Sequence, residues 1–97
     1  MRFDWDILKA DANRRKHRVS FEEACTIFAD RFILTIHDAG HSEEERWASM
    51  ALSSAGRVLV VVHTWPEPDQ LGDERVRIIS ARRADKQEQR VYLERKR

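Results

Sequence analysis

R-I-I-S-A-R-R-A-D-K-Q-E-Q-R, at residues 77–90, is the stretch that decides the fold of this chain. The β-branched residues before Ser80 predict a strand over residues 74–81. Asp85 is a suitable helix N-cap, and Glu88 stands three residues later, as in a capping box. The stretch therefore predicts a last strand followed by a C-terminal helix, with arginines where the two elements meet.

These arginines, Arg77, Arg82 and Arg83, are the first candidates for binding phosphate. A guanidinium stays charged and can meet two phosphate oxygens together, and the amides at a helix start also attract anions. In a straight strand Arg77 faces one side of the sheet, whereas Ser80 and Arg82 face the other. We therefore expect the chain to leave the sheet after Ser80, which would bring the arginines together. The alternative for each arginine is an ion pair with a nearby acid.

The remaining sequence predicts helices and strands that pack around this stretch. The 57–65 segment is apolar on both faces, which is typical of a strand in the middle of a sheet. Neighbouring strands with short links favour an antiparallel sheet of about four strands, packed against two N-terminal helices and the C-terminal helix. The predicted elements are a short strand near Phe3, a helix from Asp6 to about Lys16, a helix capped by Ser20 and Glu23, strands at 32–38, 46–53 and 57–65, and an acidic loop at 66–73.

Length and composition predict a single α+β domain over residues 1–97. The 18 Lys and Arg residues nearly balance the 17 Asp and Glu residues, but basic residues cluster at 14–18 and 82–97. Such clusters fit a nucleic acid or an acidic protein, although each could also be a solvated face. Cys25 is the only cysteine, so we expect no disulfide. No apolar run is long enough to span a membrane, and the N-terminus lacks the pattern of a signal peptide. We therefore expect a soluble cytoplasmic protein without a cofactor or a membrane partner.

Three stretches resemble the BrnT family of bacterial toxins: N-R-R-K-H-R-V-S-F-E-E-A at 13–24, H-S-E-E-E-R-W at 41–47, and R-I-I-S-A-R-R-A at 77–84, followed by Glu88 and Tyr92. The resemblance implies a type II toxin with a RelE-like fold, acting as a ribonuclease that arrests translation. It also implies a hetero-oligomer with a BrnA-like antitoxin of the ribbon-helix-helix type. In this complex the antitoxin, and not the toxin, would bind the operon DNA. The family usually has a glycine after Lys16-His17, where this chain has Arg18.

RNA cleavage without a metal ion requires three groups. A base takes the 2′-hydroxyl proton, a cation stabilises the phosphorane, and an acid protonates the departing 5′-oxygen. Arg46 joins the arginines above as a candidate cation, while Glu45 and His17 are candidates for proton transfer. Glu45 and Arg46 could instead be an exposed ion pair, and His17 could cap the end of its helix. The sequence does not decide which group is the general base.

Substrate contacts are the least determined part of the prediction. The candidates are Lys16, Ser80 and Tyr92, of which Tyr92 could either stack on a base or pack against the sheet. The cluster His37, Asp38 and His41 does not have the spacing of a metal site, so we expect none. The principal alternative to a ribonuclease is a non-catalytic RNA- or protein-binding module of the same fold. A scaffold that docks an acidic protein is a third possibility.

Overall fold

A computed structural model describes residues 1–40 and 44–97 of the chain. Predicted His41 therefore lies outside the described residues. The elements are β1 (Arg2–Asp4), α1 (Ile7–His17), α2 (Phe21–Cys25) continued by a 3-10 turn (Thr26–Ala29), β2 (Leu34–Asp38), β3 (Arg46–Leu52), β4 (Val58–His63), β5 (Glu67–Pro68), β6 (Glu74–Arg83) and α3 (Lys86–Lys96).

The strands form a six-stranded sheet in the order β1-β6-β4-β3-β2, and β5 pairs with β6. The four longer strands, β2, β3, β4 and β6, are antiparallel to one another, and β4 lies in the middle of the sheet, as predicted. The prediction of about four strands missed β5, and β1 runs parallel to β6, not antiparallel. Both strands are too short to give a hydrophobic period, and β5 lies inside the segment predicted to be a loop.

The main core lies between one face of the sheet and the N-terminal helices. Phe21, Ala24 and Ile27 of the α2 region are fully buried, as are Leu59 and Val61 of β4. The helix α3 packs on the opposite face, where Tyr92 is only 2% exposed. The sheet is thus covered by helices on both faces, which confirms the predicted α+β class.

Helix capping follows the sequence with one exception. The Asp85 carboxylate accepts from the Glu88 amide at 2.8 Å, and the Glu88 carboxylate accepts from the Asp85 amide at 2.9 Å, which completes the predicted capping box. Ser20 likewise accepts from the Glu23 amide at 3.0 Å. The Glu23 carboxylate, however, turns away and forms an ion pair with Arg57, so the second predicted capping box is only half formed.

The last strand, β6, is longer than predicted and contains a bulge. It continues to Arg83, so the chain does not leave the sheet after Ser80 as expected. His63 pairs with Ile78 whereas the adjacent Val62 pairs with Ser80, which leaves one extra residue in β6. Because a bulge reverses the alternation of side chains, Ser80 lies on the same face as Arg77.

Arg18, at the end of α1, has a left-handed backbone conformation with φ 59° and ψ 32°. It is the single residue other than glycine with positive φ among residues 1–40 and 44–97. Left-handed geometry crowds the Cβ atom of every residue except glycine. The turn at which the resembled family usually has glycine is therefore kept, with an arginine in a strained conformation.

Candidate active site

A cleft of about 760 Å³ lies beside the first half of β6. A smaller hollow adjoins it, and Glu44 and Arg77 line both, so we call the two together the Arg77 cleft. Its lining residues are Asp4, Trp5, Glu44, Glu45, Thr64, Trp65, Glu67, Arg75 and Arg77, with Asp6, Lys9, Arg46, Ile78 and Ile79 in the adjoining hollow.

Strand pairing brings the ends of β3, β4 and β6 to this cleft. The amide of Thr64 donates to the carbonyl of Arg77 at 3.0 Å, and the Arg77 amide donates to Thr64 Oγ1 at 3.0 Å. Trp47 of β3 pairs with His63 of β4. Arg46, one residue before Trp47, therefore lies next to Thr64 in the register, so Arg46 and Arg77 reach the cleft from two strands.

The Arg77 side chain is exposed and available to a ligand. No carboxylate among the described residues forms an ion pair with it, whereas neighbouring Arg75 lies 3.6 Å from Asp4. A guanidinium without a carboxylate partner keeps all its N–H donors for an incoming anion. Of the arginines predicted to bind phosphate, Arg77 and Arg46 line the cleft, and Arg77 is the exposed one.

Carboxylates and a lysine complete the cleft. Glu44 and Glu45 are exposed at its rim, and Lys9, in the first turn of α1, lines the adjoining hollow. The structure therefore brings three of the predicted catalytic residues, Arg77, Arg46 and Glu45, to one place. The four acids of the larger part, Asp4, Glu44, Glu45 and Glu67, outnumber its two arginines. The larger part of the cleft therefore has no net positive charge, and its attraction for an anion depends on the individual guanidinium groups.

Arg82 and Ser80 lie on the same face of the sheet as Arg77 but further along β6, near α3, and neither lines the cleft. Arg82 Nη1 and Nη2 donate to the two carboxylate oxygens of Glu88 at 2.8 and 2.9 Å. Hydrogen bonding to Glu88 raises the pKa of Arg82, and the same bond lowers the pKa of Glu88. With its donor fork engaged, Arg82 joins β6 to α3, which is the ion-pair alternative considered for it.

Arg83, Lys16 and His17 lie at the other end of β6. The helix α1 runs along β6, because Lys9 lines a hollow with Ile79 whereas Asn13 bonds to Ala81. Six residues of strand separate Arg77 from Arg83, which corresponds to roughly 20 Å. Arg83, Lys16 and His17 therefore cannot contact the same phosphodiester as Arg77.

The family model described as ribonuclease toxin, BrnT, of type II toxin-antitoxin system matches residues 5–88. The chain belongs to the BrnT family. The match includes every residue of the Arg77 cleft except Asp4. No curated protein matches this BrnT chain.

Tyr92 of the BrnT chain packs in the interior and does not present its ring to the cleft. Its hydroxyl donates to Asp30 Oδ2 at 2.5 Å. Burial and this bond raise the pKa of Tyr92 to about 12. Of the two alternatives for Tyr92, the structure has the packed one, so its proposed contact with substrate has no geometric support.

Two further features bear on metal and membrane binding. Among the described residues, no group of three or more His, Cys, Asp or Glu side chains could bind a metal ion. His37 packs edge-on against Trp47, with 4.8 Å between ring centroids. Within the same residues, every helix is too short or too polar to span a membrane.

Lys9, Thr64 and Trp65 are among the residues of the Arg77 cleft that were not predicted from the sequence of this BrnT chain. Lys9 follows the N-cap Asp6 by three residues, so its place at the start of a helix was readable. Thr64 and Trp65 directly follow β4, the most apolar strand, and a large aromatic residue between a strand and a proline was the available signal. Their closeness to Arg77 depends on strand pairing, which no local pattern encodes.

Proposed function

We propose that this BrnT protein is an endoribonuclease that cleaves RNA in the Arg77 cleft without a metal ion. The single observation that carries the proposal is the exposed, unpaired guanidinium of Arg77 in one cleft with Glu45 and Arg46, within the described part of the chain. A carboxylate and a guanidinium can together activate a hydroxyl and stabilise a phosphorane. Membership of a ribonuclease toxin family supports the same reaction.

In the proposed reaction, Glu45 takes the proton from a 2′-hydroxyl, and the resulting oxygen attacks the adjacent phosphorus. Arg77 and Arg46 neutralise the charge that builds on the non-bridging oxygens. The Lys9 ammonium, in the same hollow, is the available donor of a proton to the departing 5′-oxygen. The bond from phosphorus to the 5′-oxygen breaks, which leaves a 2′,3′-cyclic phosphate and a 5′-hydroxyl end.

Lys16, His17 and Arg83 are too distant for this chemistry but suit a second task. They lie along the route that an RNA strand would follow beside α1 and β6, and Lys16 and Arg83 are exposed. Cations on such a route bind the backbone phosphates independently of sequence. We therefore assign them to nucleotides that flank the cleaved bond.

The test is incubation of purified protein with end-labelled RNA of mixed sequence, with and without EDTA, followed by identification of the product ends. We expect cleavage that EDTA does not abolish and cyclic phosphate ends. Arg77→Ala and Glu45→Gln should each lower the rate by a factor of about 10² or more. Arg97→Ala is the matched control, since this exposed arginine at the end of α3 pairs with Glu94 and does not line the cleft. Intact RNA, on and off the ribosome, would contradict the proposal.

The cellular role follows from the type II toxin-antitoxin family. Cleavage of cytoplasmic RNA would arrest translation, and a BrnA-like protein of the ribbon-helix-helix type would neutralise the toxin in a hetero-oligomer and bring it to operon DNA. The protein partner is supported by the family description. The test is copurification with the product of the neighbouring small gene, together with restored activity in cell-free translation. A RelE-like fold, supported by the central antiparallel strands, is tested by superposition.

A non-catalytic RNA-binding module is the second candidate. It is favoured by exposed cations outside the Arg77 cleft, such as Lys16 and Arg83, which can bind backbone phosphates without any group for proton transfer. Binding that weakens steeply with salt, without cleavage, would support this module over the enzyme.

A further inference from the structure

Trp65 is a large aromatic side chain for which the proposed cleavage reaction has no use. It immediately follows Thr64, which is hydrogen-bonded to the backbone of Arg77, and it lines the Arg77 cleft. It remains 54% exposed, although an indole ring gains stability from burial. A ligand that covered this exposed ring would gain the free energy of its burial.

The position of Trp65 is fixed on several sides. Its ring packs on that of Trp47, with 4.6 Å between centroids and 50° between planes. Trp47 is in turn supported by His37. On the chain itself, Thr64 is anchored to Arg77 by two hydrogen bonds, one through its amide and one through its hydroxyl, and Pro66 restricts the backbone of Trp65. Such a ring binds a ligand without first losing conformational freedom.

Trp65 lies beside the arginine that binds phosphate in the proposed reaction. Hydrogen bonds join the backbone of Arg77 to Thr64, the residue before Trp65, and both Trp65 and Arg77 line the cleft. A nucleotide likewise carries a flat base beside a phosphate. An indole and a guanidinium so arranged can contact the base and the phosphate of one short RNA segment.

We propose that Trp65 is a nucleobase-binding subsite, on which an unpaired base of single-stranded RNA stacks while Arg77 binds the neighbouring phosphate. The inference rests on the proposed ribonuclease function and adds a substrate class to it. A base within a duplex is covered on both faces, so it cannot stack on Trp65. The subsite therefore selects single-stranded RNA.

The surroundings of Trp65 favour RNA over a protein partner. A tryptophan that anchors a protein interface is usually surrounded by a dry apolar patch. Trp65 instead shares its cleft with Glu44, Glu67, Arg75 and Arg77. These charged neighbours suit a ligand that is itself charged and hydrated.

The test measures binding of a fluorescein-labelled 2′-O-methyl RNA dodecamer of mixed sequence, which lacks the attacking hydroxyl and is not cleaved. Trp65→Leu should weaken binding about tenfold or more, and Trp65→Phe should retain most of the affinity because it keeps an aromatic face. Leu93→Ala is the control, since Leu93 is also an exposed apolar residue, on α3. A duplex of the same sequence should bind equally to the wild-type protein and to Trp65→Leu.

Thermal unfolding checks that each variant is folded. Should Trp65→Leu fail to fold, the second measurement is the quenching of tryptophan emission by the dodecamer. This quenching should be smaller in Trp65→Phe than in the wild-type protein. Equal affinity of wild type and Trp65→Leu for the dodecamer would overturn the subsite and leave the ribonuclease intact. A wild-type protein that neither binds nor cuts RNA would remove both. If Trp65→Leu weakened binding of the antitoxin but not of the dodecamer, Trp65 would belong to a protein interface and the subsite would be overturned.

Discussion

The side chain of Asn13 and the backbone of Ala81 form two hydrogen bonds with each other. Asn13 Nδ2 donates to the Ala81 carbonyl at 2.8 Å, and Asn13 Oδ1 accepts from the Ala81 amide at 3.1 Å. The strand β1 ends opposite Arg77, so β6 has a free edge beyond that point. The Asn13 amide takes the place of a strand on this edge. It thereby fixes α1, and with it Lys9, beside the Arg77 cleft.

Replacement of Asn13 by alanine should lower the free energy of unfolding by about 2–4 kcal/mol. The change leaves both backbone groups of Ala81 buried without a partner, and each such group carries a desolvation penalty. Urea unfolding followed by circular dichroism measures the effect. Gln87→Ala, on the exposed side of α3, is the control and should change stability by less than about 0.5 kcal/mol. An equally small effect of Asn13→Ala would contradict the role of this clamp.

Arg82 and Arg77, both predicted from sequence to be catalytic, should differ in what their removal affects. Arg82→Ala breaks the ion pair with Glu88, and because that pair is partly exposed the cost should be only about 1 kcal/mol of stability. Its RNA cleavage should stay within about threefold of wild type. Arg77→Ala should have the reverse pattern, with a rate about 10² to 10³ lower and little change in stability. A cleavage defect in Arg82→Ala at full stability would return Arg82 to the catalytic group.

Buried His63 should make stability depend on pH in mildly acidic solution. Its Nδ1 donates to the Thr64 carbonyl at 2.7 Å, and Nε2 accepts from the hydroxyl of Ser49 at 2.6 Å. Burial lowers the pKa of His63 below its ordinary value of 6.5. Between the folded pKa and about pH 6.5, the unfolded chain therefore binds a proton that the folded chain does not. The free energy of unfolding is highest above about pH 6.5 and falls as the pH drops towards the folded pKa.

This loss should have a slope of at most about 1.4 kcal/mol per pH unit, and it should be absent from a His63→Gln variant. Urea unfolding between pH 5 and 7 measures it. Glu88, whose pKa is lowered by Arg82, loses its contribution only below its ordinary value of 4.5, so this pH window separates the two residues. A wild-type slope that persists unchanged in the variant would assign it to other groups.

Arg18→Gly should stabilise the protein by about 0.5–1 kcal/mol. Glycine removes the steric cost of the left-handed conformation, which exceeds the entropy that glycine adds to the unfolded chain. Lys16→Gly, in the helical part of α1, is the matched control and should destabilise by about 1 kcal/mol, because its φ is already favourable for a side chain. If both variants were destabilised alike, the left-handed geometry of Arg18 would carry no strain.

The candidate site was partly predictable from sequence. Arg77, Arg46 and Glu45 were identified because their residue types suit RNA cleavage, and the structure brings them together. The prediction that Arg82 and Arg83 join them assumed that β6 ends at Ser80. That end is set by pairing with β4, since Val60 and Leu59 are the partners of Arg82 and Arg83. Pairing across strands leaves no trace in the local sequence of either strand.

The sequence by itself determined the elements that depend on neighbouring residues. The caps at Asp6, Ser20 and Asp85 and the apolar centre of the sheet follow from local hydrogen bonding and hydrophobic period. Only the tertiary structure decided which charged side chains share a cleft. The packing of α3 against β6 brings Glu88 into an ion pair with Arg82. Arg77, nearer the start of β6, stays exposed in the cleft that Trp65 also lines. These outcomes depend on contacts between residues far apart in the chain, and such contacts exist only once the sheet has formed.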